Sequence, residues 1–230
     1  MAFPFTPPQQ ISLTIYGGSP IRFPVNNIYC VARNYADHAI EMGHDPDREA
    51  PFFFMKPANA LTGPGDNFIY PDFSEDVHHE VEMVVGLQSG GRNLSKEDAL
   101  ACIYGYGVGL DMTARDRQSE LKKAGRPWEM AKGFTGAAIC SAINPVELCG
   151  KHPEATDISL KVNGELRQQG NTAQMIWKTA ELISTLSQYF TLEAGDLIYT
   201  GTPAGVGAVK RGDHLECSLD DMATIELDVV

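Results

Sequence analysis

The chain lacks paired cysteines, long hydrophobic runs and an excess of basic residues. Its five cysteines are widely spaced and include no C-x-x-C pair, which disfavours a disulfide framework and a cysteine-based zinc site. The first residues lack the basic and apolar segments of a signal peptide, and no apolar run is long enough to span a bilayer. These absences predict a cytoplasmic protein with no membrane partner.

Basic residues are also scarce relative to acidic ones. Lys and Arg number 18 against 30 Asp and Glu, so the net charge is -12. Nucleic acids and anionic membranes would be repelled by this charge, which argues against both as partners. An anionic substrate would therefore need basic groups concentrated at one place.

The length of 230 residues and a hydrophobic content of 43% are sufficient for one substantial core. Residues 1–27 carry repeated prolines and a Gly17-Gly18 turn, and we interpret them as an extended N-terminal segment; residues 28–230 form the predicted main domain. Strands outnumber helices and do not alternate regularly with them, which favours an α+β fold of layered, mixed β-sheets. Strands are predicted at 28–32, 52–55, 78–87, 105–112, 197–200 and 223–230, helices at 34–43, 95–104, 115–123 and 179–190, and an Asn-Gly hairpin at 160–167.

Two carboxylates occupy alternate positions of the predicted strand at 78–87. Glu80 and Glu82 would project from one face of an otherwise apolar run, where unpaired charges are costly. Asp111, which ends a second apolar strand, is the natural third ligand of a divalent cation. Three oxygen ligands favour Mg²⁺, with Mn²⁺ or Ca²⁺ possible, over zinc.

Each candidate residue also has an ordinary interpretation. Glu80 and Glu82 fit equally a solvated strand face, and His78 on the same face leaves open a histidine-and-carboxylate iron or zinc site. His38 and Glu41, three residues apart, fit an exposed helix pair or a dyad that removes a proton from water.

Several polar residues outside the acidic group fit an anion site. Arg115, Gln118 and Lys132 would by default be solvated, but an acidic protein that binds an anion needs such groups beside its metal. Lys132 is predicted to lie in a loop. Thr200 and Thr202 are able to bind a carboxylate, whereas the glycines of 105–109 and 201–207 match no nucleotide fingerprint and are interpreted as sites of close packing.

Seven short motifs, in order along the chain, resemble the fumarylacetoacetate hydrolase family. They are RNYADH (33–38), FMKP (54–57), HEVE (79–82), LDMTARD (110–116), AKGF (131–134), VNGE (162–165) and TGTP (200–203). Residues 28–38 and 43–49 are most similar to the fumarylpyruvate hydrolase and acylpyruvase members.

The resemblance implies a catalytic domain over 28–230 with a β-roll, usually a homodimer, and a metal held by Glu80, Glu82 and Asp111. It places the catalytic dyad on His38 and Glu41. The remaining catalytic and substrate-binding contacts that it implies fall on Lys132, Arg33, Arg115, Gln118 and Thr202.

The implied activity is hydrolysis of a carbon–carbon bond in a small anionic acylpyruvate, a 2,4-dioxo acid of aromatic catabolism such as fumarylpyruvate. Oxaloacetate decarboxylation or tautomerisation and hydroxymuconate-type isomerisation use the same metal and enolate chemistry, and they remain open. A non-catalytic protein that binds metal and acid is a further alternative. A distal carboxylate of the substrate would need a cation, for which His44, Arg48 and Arg126 are candidates.

Overall fold

A computed structural model describes residues 3–18, 20–36, 49–150 and 152–230 of the chain. This part contains five α-helices, two of which are single turns. They are α1 (Lys96–Ala101), α2 (Arg115–Lys123), α3 (Glu129–Lys132), α4 (Val146–Cys149) and α5 (Thr179–Tyr189). None of the described helices combines the length and the apolar character needed to cross a membrane.

Seventeen strands form four sheets in the described part of the chain, which confirms the predicted α+β class with mixed sheets and few helices. The strands are β1 (Ser12–Thr14), β2 (Arg22–Pro24), β3 (Ile28–Ala32), β4 (Phe52–Lys56), β5 (Leu61–Thr62), β6 (Val77–His79), β7 (Val81–Leu87), β8 (Ile103–Asp111), β9 (Thr113–Ala114), β10 (Ala138–Cys140), β11 (Asn144–Pro145), β12 (Asp157–Val162), β13 (Glu165–Asn171), β14 (Leu197–Tyr199), β15 (Gly207–Ala208), β16 (His214–Leu219) and β17 (Ala223–Asp228).

The largest sheet has the order β4-β3-β14-β7-β8-β10-β5, with β11 paired to β8. It is mixed, because β14 pairs in parallel with β3 and antiparallel with β7. A second sheet, β13-β12-β16-β17, is antiparallel throughout, and the three-stranded sheet β15-β6-β9 lies beside the functional residues described below.

Strand β7 is buried along its whole length, and its two faces meet different cores. Val81, Met83 and Val85 belong to the main hydrophobic cluster, which includes residues of the four-stranded sheet and α5. Val84 points the opposite way, into a smaller cluster with the N-terminal residues. Because side chains alternate along a strand, Glu82 shares the face of Val84.

Glycines alternate along β8 on the face that carries Asp111. A Cβ atom on Gly109 would lie 2.4 Å from the Ile139 carbonyl oxygen, and one on Gly105 would lie 2.3 Å from the Asn144 oxygen. Neighbouring backbone therefore occupies the space of a side chain, which confirms close packing as the role of these glycines.

The N-terminal residues form the hairpin β1-β2, which packs on the main sheet. Leu13, Phe23 and Val25 join the smaller cluster, and the Phe23 ring lies where a Cβ of Gly86 would be, at 2.9 Å. The division of the chain at residue 27 stays a prediction.

Local sequence signals located most elements correctly. Strand β3, helix α2, helix α5 and the Asn163-Gly164 hairpin are confirmed, and Ser95 caps α1 by accepting a hydrogen bond from the Asp98 amide. Four details were wrong. Helix α1 ends at Ala101, the strand predicted at 78–87 is interrupted at Glu80, and Lys132 ends the short helix α3 instead of lying in a loop. The helix predicted at 34–43 does not begin at Asn34, because Tyr35 forms an antiparallel β-bridge with Met175; residues 37–43 lie outside the described residues.

Candidate active site

Two candidate ligands lie where the chain passes between sheets. Strand β6 of the three-stranded sheet ends at His79, and β7 of the main sheet begins at Val81, so Glu80 occupies the junction. Strand β8 of the main sheet likewise ends at Asp111 before β9 joins the three-stranded sheet. The Asp111 amide donates to the Glu80 carbonyl at 2.9 Å, which holds the two junctions together.

The three predicted carboxylates converge. Glu80, Glu82 and Asp111 each offer an oxygen, and these oxygens lie within 4.8 Å of one another; in the described ranges no other group of acidic, histidine or cysteine side chains does this. All three are at most 5% exposed. The group contains no histidine, since His78 instead lies 2.9 Å from Asp76, so a donor set made only of oxygen fits a hard divalent cation.

Three cationic side chains surround the acidic group. Lys132 Nζ lies 2.7 Å from Glu80 Oε2 and 2.7 Å from Asp111 Oδ2, and Arg115 Nη2 lies 2.5 Å from Glu80 Oε1. Lys56 Nζ lies 2.7 Å from Asp111 Oδ1. The sequence motifs included Lys56, but its role in the site was missed because a lysine in an apolar strand gives no local sign of its partner.

The charges of the site change the ionisation of its members. Burial, reinforced by the negative charges of Asp111 and Glu80, raises the pKa of Glu82 well above its ordinary value. Burial alone would lower the pKa of Lys132, but the carboxylates of Asp111 and Glu80 raise it. Lys132 is therefore an ammonium, and a divalent cation would favour the ionised form of Glu82.

A glycine in the loop after β14 positions Glu82. The Gly201 amide donates to Glu82 Oε2 at 2.7 Å. Gly201 has a φ of 94°, and a Cβ there would lie 2.6 Å from the Cβ of Asn34. A side chain at position 201 would be strained and would clash, so the TGTP motif requires glycine here.

Helix α2 and the loop after β14 supply the other predicted contacts. Arg115 Nη1 donates to Gln118 Oε1 at 2.7 Å, so the amide NH₂ of Gln118 is left as a donor. Thr202 Oγ1 donates to the Val81 carbonyl at 2.7 Å, and its backbone N–H donates to no backbone carbonyl in the described ranges. Both side chains are buried, and both line the same cleft.

Gln168 of β13 is a second residue that sequence reasoning missed. Its Nε2 donates to Thr202 Oγ1 at 2.8 Å and to the Pro203 carbonyl at 2.9 Å. Its Oε1 accepts from the Val81 amide at 3.0 Å and lies 2.8 Å from His79 Nδ1. Since Oε1 is an acceptor, His79 carries a proton on Nδ1, and Gln168 ties the carboxylate strand to Thr202.

Replacing this buried amide should weaken the fold around the site. We expect Gln168→Leu to lower the free energy of unfolding by about 3 kcal/mol, because each buried group left without a partner costs about 1–3 kcal/mol. Urea denaturation measures the loss. Gln169→Leu is the matched control, since Gln169 is exposed and should change stability by no more than about 0.5 kcal/mol. Equal stabilities of the two variants would contradict the bridging role of Gln168.

The site residues line one cleft that opens to solvent. It contains the three carboxylates and Arg33, Arg115, Gln118, Lys132 and Thr202, together with Lys122, Phe54 and Trp128, which were not predicted. His38 and Glu41 lie outside the described residues, as do His44 and Arg48. Arg126 does not line this cleft; it borders a separate groove with Phe73 and Met130.

Comparisons with known proteins give relatives along nearly the whole chain. A crystal structure of fumarylpyruvate hydrolase from Pseudomonas aeruginosa in complex with Mn²⁺ and pyruvate is 45% identical, with a TM-score of 0.95 over 100% of this chain and 99% of that one. Oxaloacetate tautomerase YcgM from Escherichia coli is 44% identical over 88% of this chain and 92% of its own length. A 2-hydroxyhepta-2,4-diene-1,7-dioate isomerase from Mycobacterium marinum is 29% identical, with a TM-score of 0.78 over 90% and 75% of the two chains.

Residues 27–230 match the family described as fumarylacetoacetate (FAA) hydrolase C-terminal. The matched range contains the acidic group, the cations around it and the predicted dyad positions. By this match, and by relatives that are more than 40% identical, the chain belongs to the fumarylacetoacetate hydrolase family of enzymes.

Proposed function

We propose that this protein is a divalent-metal-dependent hydrolase that cleaves an acylpyruvate into pyruvate and a carboxylic acid. The observation that carries the proposal is the convergence, in one cleft, of three buried carboxylates with Lys132, Arg115 and donors suited to a substrate carboxylate. The similarity to a fumarylpyruvate hydrolase along the full chain supports the choice of substrate class.

Glu80, Glu82 and Asp111 would hold the metal, either Mg²⁺ or Mn²⁺. When bound, the ion would supply a Lewis acid that polarises the 2-oxo group of the substrate. The three carboxylates are suited to hold such an ion, because their oxygens are hard ligands and lie close together.

The remaining cleft residues would bind and orient the dioxo acid. Two of the three N–H donors of the Lys132 ammonium are directed at Glu80 and Asp111. The third would donate to a substrate oxygen that becomes negatively charged during the reaction. The Gln118 amide and the Thr202 backbone N–H would donate to the 1-carboxylate. Arg115 adds a positive charge beside them, and its buried Nε–H has no hydrogen-bond partner in the described ranges.

The hydrolytic step would use the dyad predicted from the sequence. His38, oriented by Glu41, would take a proton from water, and the water oxygen would form a bond to C4. The C3–C4 bond would break, the electron pair would remain on C3, and protonation there would give pyruvate. The C4 fragment would leave as the carboxylic acid.

A substrate panel tests this function. We expect fumarylpyruvate and simpler acylpyruvates to lose their enol absorbance with Mg²⁺ or Mn²⁺ present, to yield pyruvate, and to be stable after chelation of the metal. Restoration by either ion after chelation would support metal dependence. No pyruvate from any acylpyruvate would contradict hydrolysis.

Oxaloacetate tautomerisation or decarboxylation is the second candidate, because a 44% identical relative is an oxaloacetate tautomerase. Proton exchange at C3 or release of CO₂ from oxaloacetate, without acylpyruvate cleavage, would favour it. Tight binding of Mg²⁺ and oxalate with no consumption of any dioxo acid would favour a non-catalytic binding protein. A homodimer, a cytoplasmic location and the absence of nucleic-acid and membrane partners stay predictions.

A further inference from the structure

Four cations line the cleft, and they fall into two pairs. Arg115 and Lys132 form ion pairs with the acidic group. Arg33 and Lys122 line the same cleft, but neither forms an ion pair with any carboxylate in the ranges that the structure describes. The second pair therefore has positive charge available for an anionic ligand.

Helix α2 determines how far this charge lies from the acidic group. Arg115, Gln118 and Lys122 are spaced at i, i+3 and i+7, so they follow one face of the helix. Seven residues of α-helix span about 10 Å along the axis. Arg115 contacts Glu80, and the backbone of Lys122 therefore lies about 10 Å farther along the cleft wall.

Aromatic side chains form the wall around Lys122. Its Nζ lies 5.1 Å from the centre of the Trp128 ring, and Trp128 packs edge-on against Phe52 with ring centroids 5.2 Å apart. A cation over an aromatic face is held in position without losing its ability to meet an anion.

The electrostatic environment of Lys122 favours an anion. Burial lowers the pKa of Lys122, and the positive charges of Arg115, Arg33 and Lys132 lower it further. Arg33 is thus close enough to repel Lys122, and a carboxylate between the two would relieve that repulsion. Arg33 itself has a φ of 61°, an uncommon conformation for a residue other than glycine.

We propose that Lys122 and Arg33 form a distal carboxylate site, which selects acylpyruvates whose acyl chain ends in a second carboxylate. The inference deepens the proposed function and rests on the 1-carboxylate binding beside Arg115. The terminal carbons of a seven-carbon dioxo diacid are about 7–8 Å apart when extended, by C–C bonds of about 1.5 Å. Those of oxaloacetate are only about 4 Å apart, too short to reach Lys122 from the same position.

Two ligands that cannot be hydrolysed isolate the distal contact. 2-Oxoheptanedioate has seven carbons and both carboxylates but no 4-oxo group, and 2-oxoheptanoate has the same chain without the distal carboxylate. We expect calorimetry with Mg²⁺ to show that the wild-type protein prefers the diacid about tenfold, which is about 1.4 kcal/mol. Absence of a preference for the diacid would overturn the proposal.

Variants in α2 test whether Lys122 is responsible for the preference for the diacid. Lys122→Gln should bind both ligands about equally, Lys122→Arg should restore most of the preference, and Lys123→Gln should keep all of it. Lys123 is the matched control because it is exposed like Lys122 but lies on a different face of the same helix and does not line the cleft. A Lys122→Gln protein with the full wild-type preference would overturn the proposal.

Measurements of kcat/KM distinguish failure of the distal carboxylate site from failure of the proposed hydrolysis. If the function holds, Lys122→Gln should lose about tenfold more kcat/KM on fumarylpyruvate than on acetylpyruvate, whose chain ends before the distal site. If no acylpyruvate is cleaved but the binding preference still depends on Lys122, hydrolysis is wrong and the distal site stands. Equal losses of kcat/KM on fumarylpyruvate and acetylpyruvate would overturn the proposal that Lys122 selects the diacid.

Discussion

The His38→Ala variant is expected to lose roughly 10²- to 10⁴-fold in kcat on acylpyruvates while its affinity for Mg²⁺ stays nearly unchanged. The reason is that the imidazole, oriented by Glu41, would remove the proton from the attacking water, whereas Glu80, Glu82 and Asp111 would hold the metal. Enol absorbance measures kcat, and calorimetry with Mg²⁺ measures the affinity. Glu41→Gln should lower kcat in the same direction.

A second histidine provides the control. His214 is paired with Asp228 on the four-stranded sheet, at 2.8 Å, and its side chain is partly exposed. His214→Ala should therefore leave kcat unchanged. Full turnover by His38→Ala on every acylpyruvate would show that the dyad assignment is wrong. Equal losses on oxaloacetate and on acylpyruvates would show that the dyad does something other than activate water, because tautomerisation and decarboxylation need no attacking water.

Lys56→Met is expected to have the largest effect on stability. Lys56 is 1% exposed; its ammonium forms an ion pair with Asp111 and donates to the carbonyl oxygens of Lys132 and Met112. Removing one member of a buried ion pair costs about 3–5 kcal/mol, because the remaining charge has no equivalent partner. We also expect Mg²⁺ to bind about 10- to 100-fold more weakly, since Lys56 would orient the carboxylate of Asp111, a proposed metal ligand.

Urea denaturation and calorimetry with Mg²⁺ measure these two effects. Lys161→Met is the matched control, because Lys161 lies 3.8 Å from Glu216 in a pair that is about half exposed. Such surface pairs contribute about 0–1 kcal/mol. A Lys56→Met protein as stable as Lys161→Met, with unchanged Mg²⁺ affinity, would contradict the role of Lys56 as the partner of Asp111.

Short-range signals in the sequence determined the elements that carry the site. The Asn163-Gly164 pair sets a two-residue hairpin, and the limits of α2 follow from polar residues that begin at Arg115 and a glycine at 125. The spacing of Glu80 and Glu82 correctly placed two carboxylates close together. Asp111 was assigned with them because an acid in an apolar run needs a partner, and the structure brings all three together.

The same reasoning failed where two sheets meet. Alternating side chains predicted one strand through Glu80, but the chain leaves the three-stranded sheet there and joins the main sheet. Nothing local marks this junction. The Val81 amide is instead satisfied by the side chain of Gln168, 87 residues away in sequence.

The sequence by itself therefore determined the acidic residues of the cleft, the local elements and the family motifs, all of which depend on residue type and short spacing. Only the tertiary structure decided which charged side chains lie together in the cleft. Lys56 bonds the backbone of Lys132, 76 residues away, and Lys122 reaches the same cleft as Arg33. Such contacts depend on how distant segments pack, and a buried cation finds its partner through that packing and not through its neighbours in sequence.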